Sequence, residues 1–349
     1  MSAFRAPGRI NLIGEHTDYN LGFVLPLAID RDCVVTRTSR PDHQLQLHSK
    51  QLNETRTFSL TGLPVSRAGD WTDYCVGVAR ELLAAGYPIS GVDLHIDSKV
   101  PVGAGLSSSA ALEVSTALAL LNGTNIAGLE LAKLCQRAET NFVGLPCGIM
   151  DQAIAVLAQP GAALLIDCRS LETKPVALPN GIAIIVTDSG VKHALASSAY
   201  ATRVAECQRA ALHAGVASLR DAKLDQVALD PRGRHIVSEN QRVLDFLVAA
   251  EASDLVEMGR LLTASHRSLQ HDYAVSCDEL DFLVDTALML PGVLGSRMTG
   301  GGFGGCTVTL VYEAMAAQFS HAIAVRYESR YGRRPLVFQA IASTGAGRV

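Results

Sequence analysis

Residues 101–111 (PVGAGLSSSAA) constrain the chain more than any other stretch. Ahead of them Val92, Leu94 and Ile96 alternate with Asp93, His95 and Asp97, the period-two pattern of a half-buried strand. Behind them Leu112, Val114, Leu118 and Leu121 recur at helical spacing as far as Asn122-Gly123, a C-terminal stop. The stretch therefore reads as strand, glycine-rich turn, and a helix whose first turn is serine. Such a turn leaves several backbone N–H groups unpaired and aims them, with the helix dipole, at one point where a phosphate fits. The spacing is not G-x-x-x-x-G-K-[ST] and no lysine follows, so this is no Walker A loop. Taken alone, Gly-x-Gly before a helix suits a purely structural turn equally well.

Residues 4–20 form a polar knot between apolar runs. A short strand is broken by Pro7-Gly8, resumes at Ile10 and ends at Gly14, and 22–29 returns to strand-like sequence. Between them stand Glu15, His16 and Asp18, with Arg9, Asn11 and Asn20 close by. Charged loop residues are ordinarily a solvated hairpin tip. Here the density of planar and forked hydrogen-bonding groups is the equipment for gripping vicinal hydroxyls, with a guanidinium for an anion.

Three short strands are expected at 33–38, 44–49 and 56–60, then an amphipathic helix over 71–85 closed by Gly86. Trp71, the single tryptophan, sits in that helix's first turn, where core packing competes with a stacking role. A helix over 130–141 places Glu139 at the edge of its apolar face, the usual position of a charge that reaches solvent. Asp151 and Gln152 open an apolar helix over 153–158; an acid there is either a cap or a buried carboxylate, and Arg9 is its obvious partner.

The runs 162–167 and 182–188 read as buried strands, and the polar 169–181 between them as a domain boundary. Helices are expected over 197–214, 219–229, 234–250, 254–270, 277–289 and 313–331, with strands at 307–312 and 336–341. The run 298–306 holds five glycines in six positions (300–305), a composition that suits main chain passing close to something bulky. Two domains follow, 1–180 and 181–349.

A formal charge of −4 gives no support to a nucleic-acid or membrane-surface role, and the eight scattered cysteines, without C-x-x-C, suit a reducing compartment. No apolar run of membrane-span length is present, and the N-terminal residues carry no signal-type core, so a cytoplasmic location is expected. No Ser-His-Asp arrangement or thiol site competes. A polyphosphate loop, a close-packing glycine loop and a polyhydroxy grip together suit phosphoryl transfer, which needs positioning, a metal and an orienting group. A serine hydroxyl plus one carboxylate suits a hydrated Mg2+, a possible task for Glu139.

Residues 8–20 (GRINLIGEHTDYN) resemble the signature of galactokinases in the GHMP small-molecule kinase superfamily. Residues 101–111 resemble that superfamily's phosphate loop, 299–306 its third motif, and 147–152 and 187–200 further galactokinase segments. The resemblance implies an α+β, two-domain architecture, an N-terminal domain like the second domain of ribosomal protein S5 and a ferredoxin-like C-terminal domain. It implies transfer of phosphate from ATP to the C1 hydroxyl of galactose. Glu15, His16, Thr17, Asp18, Gly148, Asp151 and Tyr200 would hold the sugar. Gly103, Ala104, Gly105, Leu106, Ser107, Ser108 and Ser109 would wrap the phosphates, with Ser49 and Trp71 by the adenine and Ser109 and Glu139 on Mg2+. Asp151 would act as base and Arg9 would stabilise the transferring group; a carboxylate pinned by an arginine contributes more by orienting the hydroxyl than by taking its proton. A monomer or weak homodimer is expected, with galactose and ATP as its partners. Asp188 and Gly190 stand where asparagines are more usual, and Val204 where an arginine is. Two rivals remain: a kinase of another sugar, such as N-acetylgalactosamine or a pentose, and a non-catalytic sugar sensor. The intact 107–111 run, with Arg9 and Asp151 both present, weighs against the sensor.

Overall fold

Leu45, Leu47, Val92 and Leu94 are wholly buried, and the alternation that predicts their strands is also what pairs them: Leu45 lies opposite Val92 and Leu47 opposite Leu94 in a parallel ladder. Each such leucine contributes about 2 kcal/mol through burial. The structure, a computed structural model, describes residues 2–192 and 196–349, with side chains throughout except at 192 and 196–198. His193, Ala194 and Leu195 of the fifth galactokinase-like segment lie outside the described residues.

Among the described residues the strands form three sheets. The largest runs in the order Gly347–Arg348, Ser2–Asn11, Pro26–Ser39, Val92–Ser98, Gln44–Ser49, Glu54–Ser59. The second runs Val293–Thr299, Gly304–Tyr312, Ile182–Lys192, Leu336–Ala340, and the smallest Phe23–Val24, Ala162–Asp167, Thr173–Ala177. Helices Ser108–Leu121 and Met150–Leu157 pack with the first sheet, and Thr72–Ala84 packs on Ser108–Leu121; Leu255–Ser268, Asp278–Leu288 and Ala316–Tyr331 pack with the second. Among the described residues no helix is long and apolar enough to cross a membrane.

Several expectations are corrected. The strand at the start is not broken at Pro7-Gly8: it is continuous over Ser2–Asn11 with a bulge between Pro7 and Arg9. The bulge turns the Arg9 N–H toward the phosphate loop, where it donates to the Leu106 carbonyl at 3.1 Å. The polar 169–181 segment is not a bare linker, because Thr173–Ala177 pairs with Ala162–Asp167. The helix expected over 219–229 shrinks to one turn, Leu219–Asp221; its leucines do not share a buried face, since Leu224 and Leu229 are exposed. Strand Val293–Thr299 was not anticipated, because its small and charged residues, Gly295, Ser296 and Arg297, hide a fully interior position. The closing segment returns to the first sheet, with Gly347 opposite Arg5 and Ala342 bridged to Ile29.

Candidate active site

The serine turn, the polar knot and the glycine loop meet. A cleft of about 980 Å3 is lined by Arg9, Glu15, His16 and Asp18, by Gly103 and 105–109, by Glu139, Gly148 and Asp151, and by Tyr200 and Gly300–Phe303. The strand before the turn and the helix after it, Ser108–Leu121, form as the sequence predicts, and Asn122 closes the helix in the left-handed conformation. His16, Ser107 and Phe303 are non-glycine residues at φ of 64°, 56° and 58°, and all three face this cleft. Each such conformation costs roughly 1–3 kcal/mol and persists where the surroundings over-determine it, commonly at functional sites.

At the centre Arg9 grips Asp151 with two nitrogens, at 2.8 and 2.9 Å, while its Nη1 donates to the Gly105 carbonyl at 2.5 Å. The Ser107 hydroxyl donates to the same carboxylate. Asp151 stands in the first turn of Met150–Leu157, and its side chain keeps 26% of its surface open to the cleft. The partnership inferred from the sequence is therefore present.

Carboxylates crowd the rest. Burial, reinforced by the charge of Asp151, pushes Asp18 up to about 7. Glu139 also rises to about 7, through burial and then Asp151. Glu15 is raised by burial, with Arg297 and Arg9 opposing. A cleft holding this much unneutralised acid favours a cation or hydroxyl donors. Glu139 does not reach solvent as an edge charge would: it is buried on the π-helical turn Ala138–Val143, which follows helix Gly128–Arg137. It accepts from Gln152 Nε2 at 2.7 Å and is hydrogen-bonded to Ser109. One hydroxyl and one carboxylate side by side fit a Mg2+ ion that draws its other ligands from water and phosphate oxygens. Among the described residues no larger group of acidic, His or Cys side chains could hold a metal unaided.

His16 is neutral: burial, with His235 and Arg297 nearby, lowers it to about 3. Its Nδ1 meets the Tyr19 hydroxyl at 2.8 Å, and Tyr19 meets Tyr273 at 2.7 Å. Tyr200 stacks at a tilt on His16, with ring centres 5.5 Å apart. Gly148 is pressed on Asp18: a Cβ there would lie 2.1 Å from Oδ2. Trp71, Tyr74, Leu52, Ile96, Val100 and Ser49 also line the cleft. The Trp71 indole N–H donates to Glu54 at 2.8 Å, so the ring is anchored at one edge while lining the cleft.

Two expected site residues lie elsewhere. Thr17 is fully buried and does not line the cleft; its hydroxyl bonds the Gly14 and Phe23 carbonyls and shapes the knot. The Ala104 side chain belongs to the core, and its carbonyl lies against Gly305. Sequence reasoning passed over Arg297, Glu113 and Tyr273. Glu113 is wholly buried and shares the Gln152 amide with Glu139. The available signal was its position: a glutamate inside a helix otherwise built of small and apolar residues.

Three family descriptions match the chain: GHMP kinases N terminal domain over residues 73–159, GHMP kinases C terminal over 246–328, and the galactokinase galactose-binding signature over 2–37. A galactokinase of Roseiflexus sp. (strain RS-1) is 47% identical over 361 residues, covering 99% of this chain and 92% of that protein. The Homo sapiens galactokinase is 44% identical over 364 residues, covering 99% and 91%. The crystal structure of Lactococcus lactis galactokinase complexed with galactose superposes with a TM-score of 0.94 at 34% identity, covering 100% of this chain and 95% of that one. The Methanococcus jannaschii mevalonate kinase, at 20% identity and a TM-score of 0.71 over 98% of both chains, shares the fold.

Proposed function

The chain belongs to the galactokinases, a family of GHMP kinases, and we infer from that premise that it moves the γ-phosphoryl group of ATP onto the C1 hydroxyl of galactose, giving galactose 1-phosphate and ADP. The single observation that carries the reading is the Arg9–Asp151 pair, which stands where the sugar motif, the phosphate loop and the glycine loop converge.

In this reading residues 1–180 supply the sugar motif and phosphate loop, and 181–349 supply the glycine loop. Glu15, His16, Asp18, Gly148 and Tyr200 hold the sugar; neutral His16 and the carboxylates offer complementary partners for its hydroxyls. Gly103 and 105–109 cradle the phosphates, and Ser49 and Trp71 border the base. Ser109 and Glu139 would hold Mg2+, which when bound neutralises phosphate charge. Asp151 takes its hydrogen bond from the C1 hydroxyl, orients the oxygen toward phosphorus and receives the proton as the new C1–O–P bond forms and the bond to the ADP oxygen breaks. Three of the five Arg9 N–H groups are engaged by Asp151 and Gly105, leaving two for phosphoryl oxygens. The low charge and unpaired cysteines favour a cytoplasmic enzyme, monomeric or weakly dimeric, without nucleic-acid or membrane partners.

The test is ADP release from ATP across a panel of sugars. Release with galactose supports the substrate assignment. Release with another sugar alone overturns the substrate and keeps the kinase; no release with any sugar overturns both.

A further inference from the structure

Arg297 is the largest side chain wholly shut off from solvent among the described residues, and the reaction above makes no use of it. It lies on strand Val293–Thr299, just ahead of the glycine loop. Its Nη1 donates to the carbonyls of Asn11 at 3.1 Å and Leu12 at 3.0 Å, its Nη2 lies 3.6 Å from Glu15 Oε1, and Nε and Nη2 have no hydrogen-bond partner. A guanidinium stripped of water with N–H groups unpaired is costly, and it is kept where a buried anion needs a counter-charge.

The carboxyl group it faces, Glu15, belongs to the sugar motif yet also reaches the other half of the molecule. Its Oε1 accepts the Gly300 N–H at 2.7 Å and the Thr299 hydroxyl at 3.1 Å. Thr299 Oγ1 also accepts the Asn11 N–H at 3.0 Å, tying the end of the first strand to the glycine loop. Gly300, at φ +85°, lies against the phosphate loop: a Cβ there would stand 2.7 Å from the Gly105 carbonyl oxygen and 2.9 Å from its Cα. Gly105 in turn holds Arg9. Contacts thus run without a gap from Glu15 through Gly300 and Gly105 to Arg9.

We propose that Arg297 and Thr299 are positioning residues that hold Glu15, and that this carboxylate couples the sugar end of the cleft to the phosphate loop, so that sugar and nucleotide strengthen each other's binding. The proposal rests on the sugar-kinase reading above, because it takes Glu15 as a sugar contact. A sugar seated on Glu15 fixes the carboxylate, the carboxylate fixes Gly300, and a glycine loop already ordered leaves the nucleotide less to order. Linkage requires the converse as well.

Calorimetric titration of galactose, with and without a non-hydrolysable ATP analogue and Mg2+, tests it. In the wild-type protein the nucleotide should tighten galactose about fivefold or more. Thr299→Val, which keeps the shape and loses the hydroxyl, should bring that factor near one, and Thr299→Ser should restore it. A wild-type factor of one overturns the coupling; if the same sample phosphorylates galactose, the underlying reading stands and only the coupling falls. Thr299→Val that melts earlier but keeps the full factor marks a merely structural threonine and overturns its role. Thr299→Ser losing the factor does so too, and with the wild-type measurement it decides the matter if Thr299→Val fails to fold.

Discussion

Arg9 and Asp151, 142 positions apart in the chain, face each other fork to carboxylate: Nε donates to Oδ1 at 2.8 Å and Nη2 to Oδ2 at 2.9 Å. The pairing joins the first strand to the start of helix Met150–Leu157 and leaves the carboxylate at the cleft wall. Asp151→Asn preserves size but turns an amide toward the guanidinium. The expected result is kcat reduced at least about 100-fold, with galactose affinity by calorimetry changed less than about tenfold. Near wild-type turnover would remove Asp151 from the mechanism. Arg9→Lys keeps the charge without the fork, and kcat should fall by about 100-fold; normal turnover would show that forked contact is unnecessary.

Gly148 has room for hydrogen only, since a Cβ would lie 2.1 Å from Asp18 Oδ2. Gly148→Ala therefore has to displace Asp18. Steady-state kinetics should show KM for galactose raised by about tenfold or more, the worth of a charged hydrogen bond, with KM for ATP little changed. An unchanged galactose KM would separate Asp18 from sugar binding.

Asp18 stands at about 7 in the folded protein against 3.8 for the ordinary group. A carboxyl raised by folding binds its proton more tightly in the native state, so its contribution is fully present below about 4 and is lost as pH rises through about 7. Asp18→Asn removes that loss. In ligand-free protein the melting temperature of the variant minus that of the wild type should be larger at pH 8 than at pH 5. A difference independent of pH would contradict the raised Asp18.

Glu139→Gln removes the carboxylate hydrogen-bonded to Ser109 while keeping a group for the Gln152 contact. The Mg2+ concentration for half-maximal activity should rise at least about tenfold. Galactose binding measured without metal should stay as it was. Loss of galactose binding instead would assign Glu139 to the sugar side.

Much of this site was legible locally. The strand, glycine turn and serine helix around 101–111 follow from hydrophobic period and turn chemistry within about twenty residues. The crowding of Glu15, His16 and Asp18 reads as a ligand grip, and all three line the cleft; Asp151 had Arg9 as its evident partner. Burial of single polar residues was not legible in the same way. Glu139 reads as an edge charge on an ideal helix, but it sits buried in the π-helical turn Ala138–Val143. Thr17 sits amid sugar-motif residues and faces the backbone of its own loop.

The sequence by itself determined most of the local structure, the family and the class of reaction, because periodicity, turn residues and short motifs act over neighbouring positions; strands Thr173–Ala177 and Val293–Thr299 escaped it. Beyond the Arg9–Asp151 pair, the tertiary structure alone decided which buried ionisable groups answer one another. Arg297 reaches Glu15 across 282 positions, and Glu113 and Glu139 meet at the amide of Gln152. Such groupings arise from how helices and strands distant in the chain pack together, and a carboxylate that lines a cleft has the same residue type as one in water. Only its packed neighbours make the difference.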